Sequence, residues 1–186
     1  MSKPIFPNNV TLIPTWPHGS KEWLIERGNT VGASEIGKAI GVSPYGGLLS
    51  LVIDKRKALS GNPDVVTSAA MQDGQDAEAT VLRMAWRRIQ ALENGVSSAT
   101  PNPEMVPGYP IALGSVSATP DALIIDSETL RAVAVIEAKL DRSRNTDWTD
   151  VLENGFGHLS GQDIRLNYWW QVQTQLYVTG LSVGYL

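Results

Sequence analysis

The feature that most constrains the fold is residues 133–139, where an apolar run ends in two opposite charges (VAVIEAK). The Val, Ala and Ile residues of this run predict a buried strand. Because side chains alternate between the two faces of a strand, Glu137 and Lys139 share one face and are neighbours. An isolated buried charge is strongly destabilising, so this pair must be hydrated, mutually paired or bound to a metal. Either the pair marks where the strand emerges into solvent, or Glu137 is a metal ligand and Lys139 stands beside a reacting phosphate.

A second strand is predicted at residues 122–125, and residues 126–129 (DSET) suit the turn that joins it to the strand at 133–139. The two strands therefore form an antiparallel hairpin. Asp121 precedes the first strand and Glu137 lies late on the second, so this pairing brings both carboxylates to the same end of the sheet. That end of the hairpin is the candidate site.

Glu78 supplies a third acid to this site. It recurs at helical spacing with Leu82, Ala85 and Ile89, which places its carboxylate on the inward-facing stripe of a predicted helix. Three carboxylates without His or Cys form a hard oxygen site, suited to Mg²⁺ or Mn²⁺ and poorly suited to zinc. Such a site polarises a phosphoryl oxygen and lowers the pKa of a bound water. Lys139 would position that water or stabilise the developing charge, so the set predicts phosphodiester hydrolysis.

Length and composition allow one α/β domain, since the chain has 186 residues and is 42% apolar. We expect a single domain at residues 20–186, preceded by an extended arm at residues 1–19 that is rich in Pro and Asn and does not pack. The absence of cysteine excludes disulfides and thiolate metal sites. No run is apolar and long enough for a membrane span or a signal peptide, so we expect a cytoplasmic protein without a membrane partner. The net charge of −4 argues against a broad basic surface for nucleic acid and allows a local basic groove.

The N-terminal half of the domain contains a candidate anion site. Ser20 is predicted to cap a short helix that reaches Arg27, and Ser34 to cap a second helix that begins near Ile36. Either Ser34 does no more than cap, or the free amides of that helix start receive a phosphate together with Ser34 and Arg27. A further helix is predicted at residues 48–59, with the basic run 55–57 on its polar side.

The remaining elements frame the hairpin. Residues 95–110 are rich in proline and predict a loop, residues 111–115 a strand, and residues 141–164 another loop. Residues 168–179 predict a helix that Gly180 ends, with Gln171 and Gln175 one turn apart. Its packed side chains are expected to be those of Trp169, Trp170, Val172, Leu176 and Tyr177. The last residues, 181–186, read as the start of a strand.

The order of these motifs resembles that of one family. Pro120-Asp121 followed by Glu137-Ala138-Lys139 is similar to the motif of the PD-(D/E)XK nuclease superfamily, a motif that is weak by itself. Over residues 20–186 the chain resembles the YqaJ-like viral recombinases, the family of phage lambda exonuclease. The motifs that carry this resemblance are Trp23 with Arg27, Gly32-Ala33-Ser34-Glu35, Ser43-Pro44-Tyr45, Gly74 with Glu78, Ala118-Thr119-Pro120-Asp121, Glu137-Ala138-Lys139 and residues 168–180 (YWWQVQTQLYVTG).

The resemblance implies a fold and an activity. The fold would be an α/β PD-(D/E)XK (restriction-endonuclease-like) core, with a mixed central β-sheet flanked by α-helices. The activity would be that of a Mg²⁺-dependent deoxyribonuclease of the alkaline exonuclease type, which degrades one strand of linear double-stranded DNA from 5′ to 3′. The 3′ single strand would serve phage-type recombination with a single-strand annealing protein. The resemblance further implies a homotrimer of phage or prophage origin, working in a bacterial host.

The resemblance also assigns roles by position. Asp121 and Glu137 would be metal ligands with Glu78 in the metal shell, and Lys139 would be the catalytic lysine. Gln171 would help to organise the site from the neighbouring helix. Arg27 and Ser34 would bind the 5′ phosphate of the DNA end, as their matching positions do in the family.

One departure and two alternatives accompany this interpretation. Family members continue past the position of Leu186 with a completed strand, a hairpin and a helix, which we expect this chain to lack. The alternatives are an endonuclease of the same superfamily and a DNA-binding, recombination-accessory module with impaired catalysis. All four residues of the nuclease set, Glu78, Asp121, Glu137 and Lys139, are present, which favours an enzyme.

Overall fold

The computed structural model describes residues 3–17, 19–64, 68–91, 100–139 and 163–186. In chain order the elements are β1 (Thr11–Leu12), α1 (Lys21–Glu26), β2 (Val31–Gly32), α2 (Ile36–Ala39), α3 (Leu48–Leu59), α4 (Ala69–Ala91), β3 (Pro103–Pro107), β4 (Ile111–Leu113), β5 (Val116–Ala118), β6 (Ala122–Asp126), β7 (Ala132–Ile136), α5 (Asp163–Thr179) and β8 (Gly184–Tyr185). Two 3-10 turns, Arg27–Asn29 and Ala33–Glu35, flank β2.

The strands form two mixed sheets of four. The first has the order β1-β4-β5-β2 and the second β3-β6-β7-β8. Each is antiparallel except at one edge, where β2 runs parallel to β5 and β8 parallel to β7. The predicted mixed α/β class is confirmed, with the strands divided between two sheets instead of gathered in one.

The predicted hairpin of β6 and β7 is confirmed and lies at the centre of the second sheet. Its pairing is antiparallel with Ala122 opposite Ile136, so Asp121 and Glu137 follow at the same end. One face packs against Ile89 of α4 and the other against Val172 of α5. Burial on both faces explains why these strands are continuously apolar instead of alternating.

Helix α5 joins the two sheets. Val172 packs on the second sheet, whereas Val178 packs on Ile111 and Ala118 of the first. The helix starts before the predicted first residue 168 and ends before Gly180, whose φ of +76° is the left-handed conformation expected at a helix end.

Two of the side chains that we expected to pack on α5 are exposed. Trp170 is 41% and Tyr177 62% accessible to solvent, so this part of the prediction is wrong. The predicted helix at residues 48–59 is confirmed with those bounds. The strand expected at residues 181–186 is confirmed as β8, which is parallel to β7.

Two predictions on the proline-rich and glycine-containing segments are wrong. Within the predicted loop 95–110, residues 103–107 form β3, which pairs with β6 along its whole length. Its two prolines are its first and last residues. In the described part of the chain β3 pairs with β6 alone, and a missing N–H is tolerated on such an edge strand. The strand expected at residues 111–115 is a hairpin of β4 and β5 that turns at Gly114, where φ is +60°.

The N-terminal arm is extended but packed, so the expectation that it does not pack is wrong. Thr11 pairs with Ala112 in the first sheet, and Ile5 bridges Arg131. The side chain of Asn8 donates to the Tyr177 carbonyl at 2.8 Å. These partners lie about a hundred or more residues away in the chain, which is why local pattern could not reveal them.

Some expectations fall outside the described residues. They are the predicted loop at residues 141–164, up to the start of α5, and the first part of the loop at residues 95–110. No helix in the ranges that the structure describes is long and apolar enough to span a membrane.

Gly108 fixes the approach of β3 to the site. A Cβ at this residue would lie 1.6 Å from the backbone oxygen of Pro120, which precedes Asp121, whereas a Cβ at Gly74 within α4 would meet nothing within 4 Å. We expect Gly108→Ala to lower the free energy of unfolding by about 1–3 kcal/mol, because backbone must move. Gly74→Ala should raise it by about 1 kcal/mol through helix propensity. Urea unfolding measures both changes, and a Gly108→Ala protein as stable as wild type would contradict this packing.

Candidate active site

Glu137 is a charged side chain placed almost wholly inside the protein, with 2% of it exposed. Its backbone N–H donates to the Tyr185 carbonyl at 2.9 Å, which continues the pairing of β7 with β8. Its Oε1 accepts hydrogen bonds from Lys139 Nζ and Gln171 Nε2, and its Oε2 accepts one from Gln175 Nε2 at 2.5 Å. Both oxygens are therefore held by donors, which is the condition for burying a carboxylate.

Asp121 lies opposite Glu137, one residue beyond the last pair of the hairpin. Its Oδ2 accepts a hydrogen bond from the Ala138 N–H at 2.7 Å. Burial and then the negative charge of Glu137 raise the pKa of Asp121 to about 7, and Glu78 adds a smaller effect in the same direction. The Ala138 hydrogen bond and the charge of Lys139 oppose this rise. The two carboxylates at the end of the hairpin thus repel each other across a poorly solvated gap.

A divalent cation of the magnesium class fits this donor chemistry. The facing groups are carboxylate oxygens, and a cation between them would relieve the repulsion that raises the pKa of Asp121. Within the described ranges, however, no three acidic or histidine side chains are already gathered closely enough to hold a metal ion. Among the groups that shift the pKa of Asp121, Glu78 on α4 has the smallest effect. The assignment of Asp121, Glu137 and Glu78 as ligands therefore stays a prediction.

Lys139 contacts Glu137 as predicted, although the strand predicted at residues 133–139 ends at Ile136 and both charged residues follow it. Its ammonium pairs with Glu137 and lies 5.3 Å from the ring centroid of Tyr168 on α5. A quarter of the lysine side chain is exposed, in contrast to the buried carboxylate. The cation is thus held at the border between the interior and solvent, where a substrate could reach it.

Gln175 is a site residue to which the sequence analysis gave no role. It is fully buried, and its Nε2 occupies the carboxylate oxygen that Lys139 and Gln171 leave open. Its own Oε1 has no hydrogen-bond partner among the described residues. The signal was present in the sequence, because residues four apart on a helix share a face and Asn167, Gln171, Gln175 and Thr179 form a polar row at that spacing.

The candidate phosphate-binding residues form a second cluster. Arg27 Nη2 donates to Ser34 Oγ at 3.0 Å and pairs with Glu35 at 3.2 Å, while the guanidinium lies 4.5 Å from the ring centroid of Trp23. The prediction that Ser34 is a helix N-cap is wrong. Ser34 lies inside the 3-10 turn that precedes α2, and no side chain caps α2. The predicted cap at Ser20 is confirmed by its 3.1 Å bond to the Trp23 N–H.

Glu35 and Lys55 each contact Arg27 and also contact each other. Lys55 Nζ lies 2.6 Å from Glu35 and also donates to the Arg27 carbonyl. Burial alone would raise the pKa of Glu35, but the charges of Arg27 and Lys55 outweigh it and the pKa lies below its ordinary value. Burial lowers the pKa of Lys55 in spite of the Glu35 charge. Lys55 is therefore paired and largely buried, although its predicted place on the polar side of the helix at residues 48–59 would leave it in water.

A cleft of about 240 Å³ lies at this second cluster and extends to helix α5. Arg27 and Ser34 line it together with Gln171, which contacts Glu137. The sequence-predicted residues thus fall into a carboxylate cluster (Asp121, Glu137, Lys139 and Gln171), a neighbouring Arg27–Ser34 cluster, and Glu78 at the margin. Helix α5 carries the residue that borders both clusters.

The fold is a mixed α/β fold of the PD-(D/E)XK type. The chain belongs to the family of the YqaJ-like viral recombinase domain, whose model matches residues 22–182. It is similar to the crystal structure of an alkaline exonuclease (LHK-Exo) from Laribacter hongkongensis, with a TM-score of 0.56 and 20% identity over 87% of this chain and 70% of that one. The structure of LHK-Exo in complex with dAMP gives a TM-score of 0.58 with the same identity and coverage. No curated protein sequence matches the chain significantly.

Gln175 can be tested apart from any activity. We expect Gln175→Met to lower the free energy of unfolding by about 1–2 kcal/mol, because Glu137 Oε2 loses its donor inside the protein while the loss of the unpaired Oε1 offsets part of the cost. Gln173→Met is the matched control, since residue 173 lies on the other side of α5 from residues 171 and 175. Urea unfolding should give a control value within about 0.5 kcal/mol of wild type. Equal stability of the two variants would remove Gln175 from the site.

Proposed function

We propose that the chain is a metal-dependent exonuclease that degrades one strand of linear double-stranded DNA from 5′ to 3′ and leaves 3′ single strands for phage-type recombination. Membership of the viral recombinase family and a fold shared with an alkaline exonuclease support a nuclease that acts in recombination. The observation that carries the proposal is the contact of Lys139 with Glu137 beside Asp121, at one end of a buried hairpin.

The chemistry follows from these side chains. Asp121, Glu137 and Glu78 would hold Mg²⁺ or Mn²⁺, which when bound polarises a phosphoryl oxygen and lowers the pKa of a water. Lys139 would donate from its ammonium to the attacking water or to the charge that develops on the phosphoryl group. Gln171 and Gln175 keep Glu137 oriented through hydrogen bonds to its two oxygens.

Arg27 and Ser34 are the proposed site for the 5′ phosphate of the DNA end. The guanidinium supplies fixed donors, and the Ser34 hydroxyl, which accepts from Arg27, can donate its own hydrogen bond to a phosphate oxygen. Their cleft also reaches Gln171, so a terminal phosphate could be gripped while a bond further along lies at the carboxylates. The complex of LHK-Exo with dAMP supports a nucleotide as the ligand of this fold.

Digestion of DNA tests the proposal. With Mg²⁺ we expect a linear duplex with 5′ phosphates to be degraded, a closed circle of the same plasmid to survive, and EDTA to stop the reaction. Lys139→Ala should reduce the rate by at least about 100-fold, because donors aimed at developing charge contribute that much. Lys57→Ala, which removes an exposed lysine paired with Asp64, is the control and should retain the rate.

Other outcomes would point to the alternatives. Cutting of the closed circle would identify an endonuclease of the same superfamily. Binding of DNA without cutting of either substrate would identify a recombination-accessory module. A full rate for Lys139→Ala would remove the lysine from the mechanism. A 5′-hydroxyl duplex degraded as fast as the phosphorylated one would exclude an end-phosphate site at Arg27.

We further propose a homotrimer that works with a single-strand annealing protein in the cytoplasm of a bacterial host, as the family resemblance implies. An apolar surface on α3 supports self-association, because Leu48, Leu49, Val52 and Ile53 are each 40% to 75% exposed. Sedimentation velocity should give three times the mass of one chain. Leu49→Lys should shift the protein to smaller species, whereas Met84→Lys, at an apolar residue of α4 that is 65% exposed, should not. A monomeric wild-type protein would contradict the trimer.

A further inference from the structure

One wall of the cleft that contains Arg27 and Ser34 has no assigned role. It is formed by four consecutive residues of the N-terminal arm, 13–16, which end in Trp16. Other apolar residues of the arm are used in packing, since Phe6, Val10 and Leu12 contact the cores of the sheets. Trp16 belongs to none of the three apolar clusters that the described residues form, and 41% of it is exposed. Packing therefore does not explain a large aromatic side chain at this place.

The backbone around Trp16 is anchored on both sides. Before it, Leu12 pairs with Ile111, and the Ile13 N–H donates to the Pro110 carbonyl at 2.9 Å. After it, the Pro17 carbonyl accepts a hydrogen bond from Ser20, the cap of α1, at 3.0 Å. An aromatic ring that is positioned in advance loses little conformational entropy when a ligand binds to it.

The cleft thus combines an aromatic wall with a guanidinium and a hydroxyl. A nucleotide has the matching parts, because its base presents flat apolar faces and its phosphate carries negative charge. Stacking on an aromatic side chain is tolerant of sequence, since every base has a π-face. An enzyme that removes nucleotides one after another must grip each base in turn, and stacking meets this requirement where hydrogen bonds to base edges would not.

We propose that Trp16 is a stacking surface for the base of the 5′-terminal nucleotide, whose phosphate lies at Arg27 and Ser34. This inference rests on the proposed binding of DNA ends and adds the base as a second point of recognition. Trp16 would increase the affinity for an end without selecting a sequence, and it would take no part in the cleavage step.

Binding of short duplexes by the full chain tests this role, with fluorescence anisotropy as the readout and EDTA present to prevent cleavage. One duplex carries a normal nucleotide at its 5′-phosphorylated end and the other an abasic nucleotide there. The proteins are wild type, Trp16→Ala, Trp16→Phe and Trp170→Ala. Trp170 is the matched control, because it is also 41% exposed and does not line the cleft.

We expect wild type to bind the normal end roughly ten-fold more tightly than the abasic end, the size of one base–aromatic stack. Trp16→Ala should weaken binding of the normal end by the same factor and no longer distinguish the two ends. Trp16→Phe should keep most of the difference, and Trp170→Ala all of it. The inference would be overturned if Trp16→Ala still bound the normal end more tightly than the abasic end. It would also be overturned if wild type bound both ends equally.

The design separates this inference from the proposed activity. If the protein cuts no DNA but shows the dependence on Trp16 and on the terminal base, the stacking surface stands and the exonuclease fails. If it digests linear DNA and wild type binds both ends equally, the exonuclease stands and the stacking surface fails. Trp16→Phe guards against misfolding, since its ring can replace the lost one.

Discussion

The buried carboxylate of Glu137 is the interaction on which the site and much of the packing depend. A charge that is 2% exposed would destabilise the fold by several kcal/mol without partners. Its partners come from two elements, Lys139 beyond β7 and two glutamines of α5. The dependence is mutual, because those glutamine amides could not lie against an apolar hairpin without an acceptor. Helix α5 is therefore fixed on the second sheet by polar contacts as well as by Val172.

The same arrangement places a second carboxylate, that of Asp121, close to the buried charge of Glu137. Asp121 faces Glu137 closely enough for its pKa to rise to about 7, mainly through burial and then through the second charge. Perturbed carboxylates of this kind are concentrated at reactive sites, where the fold keeps them in place although they repel. The overall charge of −4 does not oppose the proposed binding of DNA, because the cationic groups that would contact it are local and held in position. Arg27 is such a group, stacked on Trp23 and fixed by Glu35.

Helix α5 and the N-terminal arm form part of the cleft that lies beside these charges. The helix contacts the carboxylate of Glu137 through Gln171, which also lines the cleft of Arg27 and Ser34. The arm closes that cleft with residues 13–16 and is tied to the first sheet by β1. The cleft therefore contains the proposed phosphate and base contacts, and Gln171 connects it to the carboxylate of Glu137.

By itself the sequence determined the elements whose pattern is local. The apolar runs of β6 and β7 and the turn between them fixed the hairpin, and with it the placing of Asp121 and Glu137 at one end. The helical periods of α3 and α5 gave those helices in the same way. Only the tertiary structure decided the partners that come from distant parts of the chain: the arm on the first sheet, β3 on β6, Lys55 on Glu35 and Gln175 on Glu137. The physical reason is that a strand edge, a lysine or a glutamine is stabilised by the group that faces it after folding. That group comes from a distant part of the chain, so the local spacing of residues does not predict it.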